Sequence, residues 1–158
     1  MKTSYSRVFL LLIISSLSLT AKEKIWILFD SDGTLSFSLL LKDSTLTYRV
    51  TAPSKNGWNA EIIRFSPLGL RRNDQDSSHE LSFISESKIK TIDETYHLLV
   101  GNHRDIHSRG REQIFTFENP SQSKLELVVR IYPDGVVFRY RFPEKSKKIC
   151  TVTNECSG

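Results

Sequence analysis

Polar and apolar residues alternate nearly one for one along much of this chain, and a period of two restricts its fold more than any other feature. In Thr34-Leu35-Ser36-Phe37-Ser38-Leu39 and again in Thr45-Leu46-Thr47-Tyr48-Arg49-Val50 the pattern is strict, with Asp43-Ser44 between the runs as a turn. Successive side chains of a strand point to opposite faces, so the two runs predict a hairpin with one face in a core and one in solvent. The same reading places further strands at Ala60–Phe65, Glu80–Glu86, Thr95–Val100, Glu112–Phe117, Leu125–Ile131 and Val136–Phe142. The last two flank Tyr132-Pro133-Asp134-Gly135, where Pro suits the second turn position and Gly is expected to take positive φ to close a hairpin. No segment after residue 21 keeps helical periodicity over three turns, so the expected class is all-β, an antiparallel β-sandwich.

With 158 residues the chain has room for one such domain. Residues Met1 to Ala21 carry Lys2 and Arg7, then an apolar run from Val8 to Ile14, then a Ser-rich tail, the pattern of a secretory signal peptide. The run is short for a membrane span, and Lys22-Glu23-Lys24 follows at once. The expected mature domain is 22–158, secreted or periplasmic, with no membrane span after cleavage. Loss of Lys2 and Arg7 takes the formal charge from +4 to +2. Basic residues are interleaved with acidic ones, and without a basic stripe the chain is not expected to bind nucleic acid. Cys150 and Cys156 would face oxidising conditions, but six extended residues span roughly 20 Å, so they can pair only if the chain turns back between them. The four histidines lack ligand spacing with an acidic partner.

Ile25-Trp26-Ile27-Leu28-Phe29-Asp30-Ser31-Asp32-Gly33-Thr34-Leu35 admits two readings. It resembles the opening motif of haloacid-dehalogenase-like phosphatases, in which Asp30 would attack phosphorus, Asp32 would act as acid and base, and Mg²⁺ would offset charge. That family continues into helices and a parallel sheet, and no later acidic pair completes a metal site here. The competing reading is a turn, with Asp bonding its own backbone and Gly33 supplying positive φ. An EF-hand is excluded by spacing, because Gly33 comes too early and no acidic residue stands at the closing position.

A second set of motifs covers the chain from about Ile25 to Gly158. It comprises Ser31-Asp32-Gly33-Thr34-Leu35, Ser66-Pro67-Leu68-Gly69-Leu70, Asp93-Glu94-Thr95-Tyr96, Gly101 with Arg104, and Glu112 before a strand. The longest block is Val129-Arg130-Ile131-Tyr132-Pro133-Asp134-Gly135-Val136-Val137-Phe138-Arg139-Tyr140-Arg141-Phe142-Pro143, and Glu155-Cys156-Ser157 follows. In this order they resemble the N-terminal domain of glycoside hydrolase family 97, the α-glucosidase and α-galactosidase group. Departures lie at His107, where Arg is common in the family, and at Gly110, where an aromatic is common.

The resemblance implies a galactose-mutarotase-like β-sandwich beside a catalytic (β/α)₈ barrel that supplies the carboxylates, with the sequence stopping before that barrel. On this basis the chain is expected to be the non-catalytic, carbohydrate-associated part of a secreted α-glycoside hydrolase, with no catalytic residues of its own. Its expected partners are the downstream barrel of the same polypeptide and an α-linked oligosaccharide. Calcium is expected in the parent enzyme and no cofactor or metal in this chain. Arg104, Glu112 and Arg139 are the candidate contacts to carbohydrate or to the neighbouring domain. Val128 through Arg141 offers an apolar face and a face of arginines and aromatics, which is either an ordinary solvated surface or a sugar-facing or domain-facing one. Two alternatives remain beside this reading: a free-standing carbohydrate-binding sandwich, or a nonfunctional truncated product.

Overall fold

The computed structural model describes residues 23–54, 59–97, 105–145 and 148–157. The expected signal segment and Arg104 lie outside them. The described residues form strands and turns with no helix, and every strand pairing is antiparallel. The first sheet runs in the order β1-β2-β3-β4, with β1 at Lys24–Phe29, β2 at Ser36–Lys42, β3 at Thr45–Pro53 and β4 at Asn59–Leu68. A second sheet orders β11-β10-β9-β7, where β7 is Ser82–Glu86, β9 Asp105–Glu118, β10 Lys124–Tyr132 and β11 Gly135–Arg141. Strand β8, Lys90–His97, also pairs with β9. A small third sheet joins β12, Val152–Glu155, to β5, Leu70–Arg72, and β6, Asp76–Ser77.

The alternation read from the sequence decides which faces meet. Trp26, Leu28, Phe37, Leu39, Leu46, Tyr48 and Val50 of the first sheet pack against Phe115, Phe117, Leu127, Val129 and Ile131 of the second. The Trp26 ring lies 4.7 Å from Phe83 and 5.6 Å from Phe115, and Tyr48 lies 5.2 Å from Phe138, so the two sheets meet at both ends of the core. Aromatic side chains dominate such a core because each removes a large apolar area from water.

The predicted hairpin is present. Lys42 pairs with Thr45, and Asp43 and Ser44 take φ of 48° and 61°. Positive φ at both turn residues gives the turn a twist that matches the flanking strands, and Asp tolerates it better than most side chains. The second predicted hairpin also forms, with Tyr132 opposite Gly135, but its mechanism differs from the expectation. Gly135 does not have positive φ. It opens β11, and the two-residue loop Pro133-Asp134 closes without any left-handed residue, as a turn with Pro at its second position can.

Strand boundaries shift where tertiary contacts take over. Glu80 has φ of 53° and belongs to a turn, so β7 starts at Ser82. Strand β8 begins at Lys90, ahead of the predicted Thr95, and the end expected at Val100 lies outside the described residues. Strand β9 begins at Asp105, so Glu112 stands inside it and does not precede it. Its residues 111–118 pair with β10 on one edge, and its other edge takes β8 at 105–112 and β7 at 115–118. Hence 105–110 continue beyond the end of β10, bonded to β8 alone. Cys150 and Cys156 are free thiols with extended β12 between them.

Candidate functional site

Asp30 is fully buried, and both its carboxylate oxygens are engaged. The Leu35 N–H donates to one at 2.9 Å and the Thr34 hydroxyl to the other at 2.9 Å. The Asp30 N–H reaches Leu35 O at 3.1 Å, the Gly33 N–H reaches Asp30 O at 3.4 Å, and Gly33 takes φ of 72°. Burial pushes the carboxyl up, but these hydrogen bonds together hold it below its ordinary range. Asp30 is therefore the tie of a turn, with neither the freedom nor the helical surroundings the phosphatase reading requires.

The outer face of the second sheet holds two of the three sequence-derived candidates. Glu112 on β9 faces Arg130 on β10, and the Arg130 Nε–H donates to Glu112 Oε2 at 2.6 Å. That bond, with the neighbouring Tyr132 hydroxyl, raises the Arg130 pKa above its ordinary value. One place further across the sheet, Arg141 pairs with Glu126. Arg139 stands exposed between these pairs, opposite Val128, and among the described residues it has no ion-pair or hydrogen-bond partner. Val128, Arg130, Val137, Phe138 and Arg139 line a shallow depression of about 290 Å³. Glu112 and Arg139 thus share one face, linked through Arg130.

Of the aromatics expected on that face Tyr132 is there, beside Arg130, and two others are not. Phe138 and Tyr140 turn inward against the core, and the Tyr140 hydroxyl accepts the Gly69 N–H at 3.0 Å. Burial raises its pKa to about 12, which keeps the hydroxyl protonated. The face toward solvent carries arginines, valines and Tyr132.

A second concavity was not among the sequence-derived candidates. It lies on the open edge of β9, between the β8–β9 hairpin and the β10–β11 turn, with a volume of about 420 Å³. Tyr96, Ile106, Ser108, Tyr132, Pro133 and Asp134 line it together with His107 and Arg109. Gly110 makes it possible: a Cβ there would lie 2.6 Å from the Tyr132 ring and 2.8 Å from Ile131 O, so only glycine lets the ring lie flat against β9. Behind the groove, Asp93 bonds His107 and also accepts the Arg109 Nε–H at 3.2 Å. His97 bonds Asp105 one step nearer the hairpin end. The signal in the sequence was the unusual Gly110; its counterpart Tyr132 becomes visible only once β9 and β10 are in register.

Neither Asp93 with Glu94 nor Glu112 with Glu118 has the placement glycoside hydrolysis needs, and Asp74 and Glu144, which do come close, are both engaged by the one Arg72 guanidinium. Asp93 and Glu94 are adjacent on β8 and point to opposite faces. Glu112 and Glu118 lie six residues apart on β9, roughly 20 Å along a strand, whereas the reaction uses separations of about 5–9.5 Å. Among the described residues no group of three His, Cys, Asp or Glu side chains is placed to hold a metal ion.

A domain whose two larger antiparallel sheets meet on aromatic inner faces, with an outer face laced by Arg–Glu pairs, belongs to the β-sandwich class. Residues 30–158 match the Glycosyl-hydrolase 97 N-terminal family, and the chain belongs to that family. Over 93 residues it is 32% identical to a probable retaining alpha-galactosidase of Streptomyces bingchenggensis (strain BCW-1), a match covering 59% of this chain and 14% of that protein. A glycoside hydrolase family 97 enzyme from Pseudoalteromonas sp. strain K8, solved as a variant in complex with panose, superposes with a TM-score of 0.70 at 18% identity, covering 84% of this chain and 20% of that one. The acarbose complex gives 0.69 at 18% identity, covering 82% and 19%. At that identity the likeness establishes the fold, which agrees with the sandwich expected from the sequence. The chain spans about a fifth of the solved enzymes' length.

Proposed function

We propose that this chain is a non-catalytic domain of a secreted or periplasmic α-glycoside hydrolase, one that packs beside a catalytic barrel of the same polypeptide and helps shape its oligosaccharide site. The observation that carries this reading is the outer face of the second sheet. There the carboxylates of Glu112 and Glu126 are engaged by Arg130 and Arg141, while Arg139 has no partner among the described residues. Such a face offers a planar, charged donor set to a carbohydrate hydroxyl or a carboxylate of a neighbouring domain. Arg104 is the remaining candidate contact. Family membership places the chain in a glycoside hydrolase, and in this reading the bond-breaking step belongs to the barrel. Calcium, in this reading, belongs to the whole enzyme and draws its ligands from outside the described residues. Among the described residues no helix is long and apolar enough to cross a membrane.

The test is hydrolysis of nitrophenyl α-glucoside and α-galactoside with added calcium, by residues 22–158 and by a longer polypeptide that joins them to a family barrel. Turnover is expected only from the longer chain, and Arg139→Ala in it should raise KM or lower kcat. Robust turnover by 22–158 alone would overturn the reading.

A further inference from the structure

We infer that the groove between the β8–β9 hairpin and the β10–β11 turn is a saccharide-binding subsite for an α-linked oligosaccharide. The inference rests on the glycoside-processing role proposed above and adds a location to it. A sugar has two kinds of surface, a band of C–H groups that packs on an aromatic face and a rim of hydroxyls that needs donors and acceptors. The groove supplies both. Tyr96 is 49% exposed, and the Tyr132 ring forms the opposite wall against Gly110. Tyr96 pairs with Ile106, and Tyr132 sits beside Gly110, four residues further along β9. The two rings are therefore separated by roughly 13 Å along the strand, the length of a short oligosaccharide.

Polar groups between the rings are unspent. Ser108 and Asp134 line the groove, and neither their side chains nor the Tyr96 hydroxyl has a hydrogen-bond or ion-pair partner among the described residues. Asp134 accepts only and Ser108 both donates and accepts, which matches the mixed demand of vicinal hydroxyls. His107 and Arg109 are held by Asp93, so the wall they form is fixed before a ligand arrives. Among the described residues the edge of β9 at 105–109 also faces the groove with no strand beside it, since β10 ends at Tyr132 and β8 occupies the other edge. Its backbone groups add further donors and acceptors. At about 420 Å³ the space is within the range of ligand sites.

The experiment is a titration of the purified full chain with panose, and in parallel with raffinose, followed by heteronuclear NMR shifts. Because the groove is open, a dissociation constant on the order of 1 mM is expected for at least one of them. Tyr96→Ala and Asp134→Asn should each weaken it about tenfold. Tyr96→Phe should retain most of the binding, and Lys42→Ala, on the other sheet, should leave it unchanged. Circular dichroism of each variant checks that the sandwich is intact. No shifts with either sugar, or binding that survives both groove substitutions, would overturn the inference. Hydrolysis by the longer enzyme with no sugar binding to this chain would sink the groove and leave the accessory role standing; turnover by this chain alone would sink the accessory role instead.

Discussion

The sandwich and the β8–β9 hairpin are built from the same kind of strand, yet they are held by different forces. In the sandwich, Phe37, Leu39, Phe115, Phe117, Leu125, Val129 and Ile131 are at most 1% exposed. In β8, by contrast, Ile92 is the one buried residue, and the hairpin is laced by Asp93 with His107 and Arg109 and by His97 with Asp105. Burying an aromatic side chain contributes about 1.5–3 kcal/mol, whereas an exposed ion pair contributes about 0–1. The contrast teaches that alternation specifies a strand but not its stability. That depends on whether a second sheet covers the apolar face, and the groove lies where this cover runs out.

The sharpest way to break the comparison is to remove a core ring. Phe117→Ala should cost about 3–5 kcal/mol, through lost burial plus the cavity left behind. Urea unfolding monitored by circular dichroism measures it, and a loss below about 1 kcal/mol would mean that the two-sheet core is not what holds the fold.

Gly110→Ala tests the seam between the regions. The added methyl meets the Tyr132 ring at 2.6 Å and Ile131 O at 2.8 Å, so ring or strand must move, at a cost of about 1–3 kcal/mol. The expected signature in NMR is a shift of Tyr132 and the 105–110 amides while the Phe37 and Val129 environment stays fixed. Equal disturbance of both regions would show that the hairpin and sandwich form a single unit.

Asp93→Asn acts within the hairpin alone. It removes the charge that His107 and Arg109 share, and since all three are well exposed the global unfolding midpoint should not move measurably. Hydrogen exchange of the 105–110 amides should instead speed up severalfold, because local opening reports weak contacts that global unfolding hides. A lowered global midpoint would contradict the division drawn above.

The smallest effect is one of pH. The His107 hydrogen bond, opposed by desolvation and helped by the charges of His107 and Arg109, holds the Asp93 carboxyl below the usual aspartate range. A carboxyl depressed in the folded state stabilises it above its unfolded pKa of about 3.9, and that contribution is lost as pH falls through the lower folded value. The 105–110 amides should therefore lose protection below about pH 4, ahead of the core. A carboxyl-detected titration placing Asp93 above about 3.9 would reverse the sign and the prediction.

Much of this was legible in the residues. Strict alternation located β2, β3, β10 and β11, and Asp43-Ser44 and Pro133-Asp134 marked their turns, because a hairpin is a local object whose residues sit close in sequence. Gly33 and Asp30 were equally readable as a turn. The misses share one physical cause. Strands β5 and β6 are three and two residues long, too short for a period to show, and they are strands because they pair with each other and β5 with β12, some 80 residues further along the chain. Aromatics were expected to share the arginine face, and Tyr132 does, yet the register that opposes Phe138 to Val129 and Tyr140 to Leu127 turns those two rings inward.

The sequence by itself determined the family, the all-β class, the hairpins and the Asp30 turn, since each depends on residues near one another or on motifs kept in order. Only the tertiary structure decided that Glu112 is spent on Arg130, that Arg139 has no partner among the described residues, and that Tyr96, Ser108, Tyr132 and Asp134 surround one groove. Those facts depend on how β8, β9 and β10 are aligned, and a slip of one residue would send every side chain to the opposite face. That alignment is fixed by the packing of two sheets over a shared core, which no single stretch of the chain encodes.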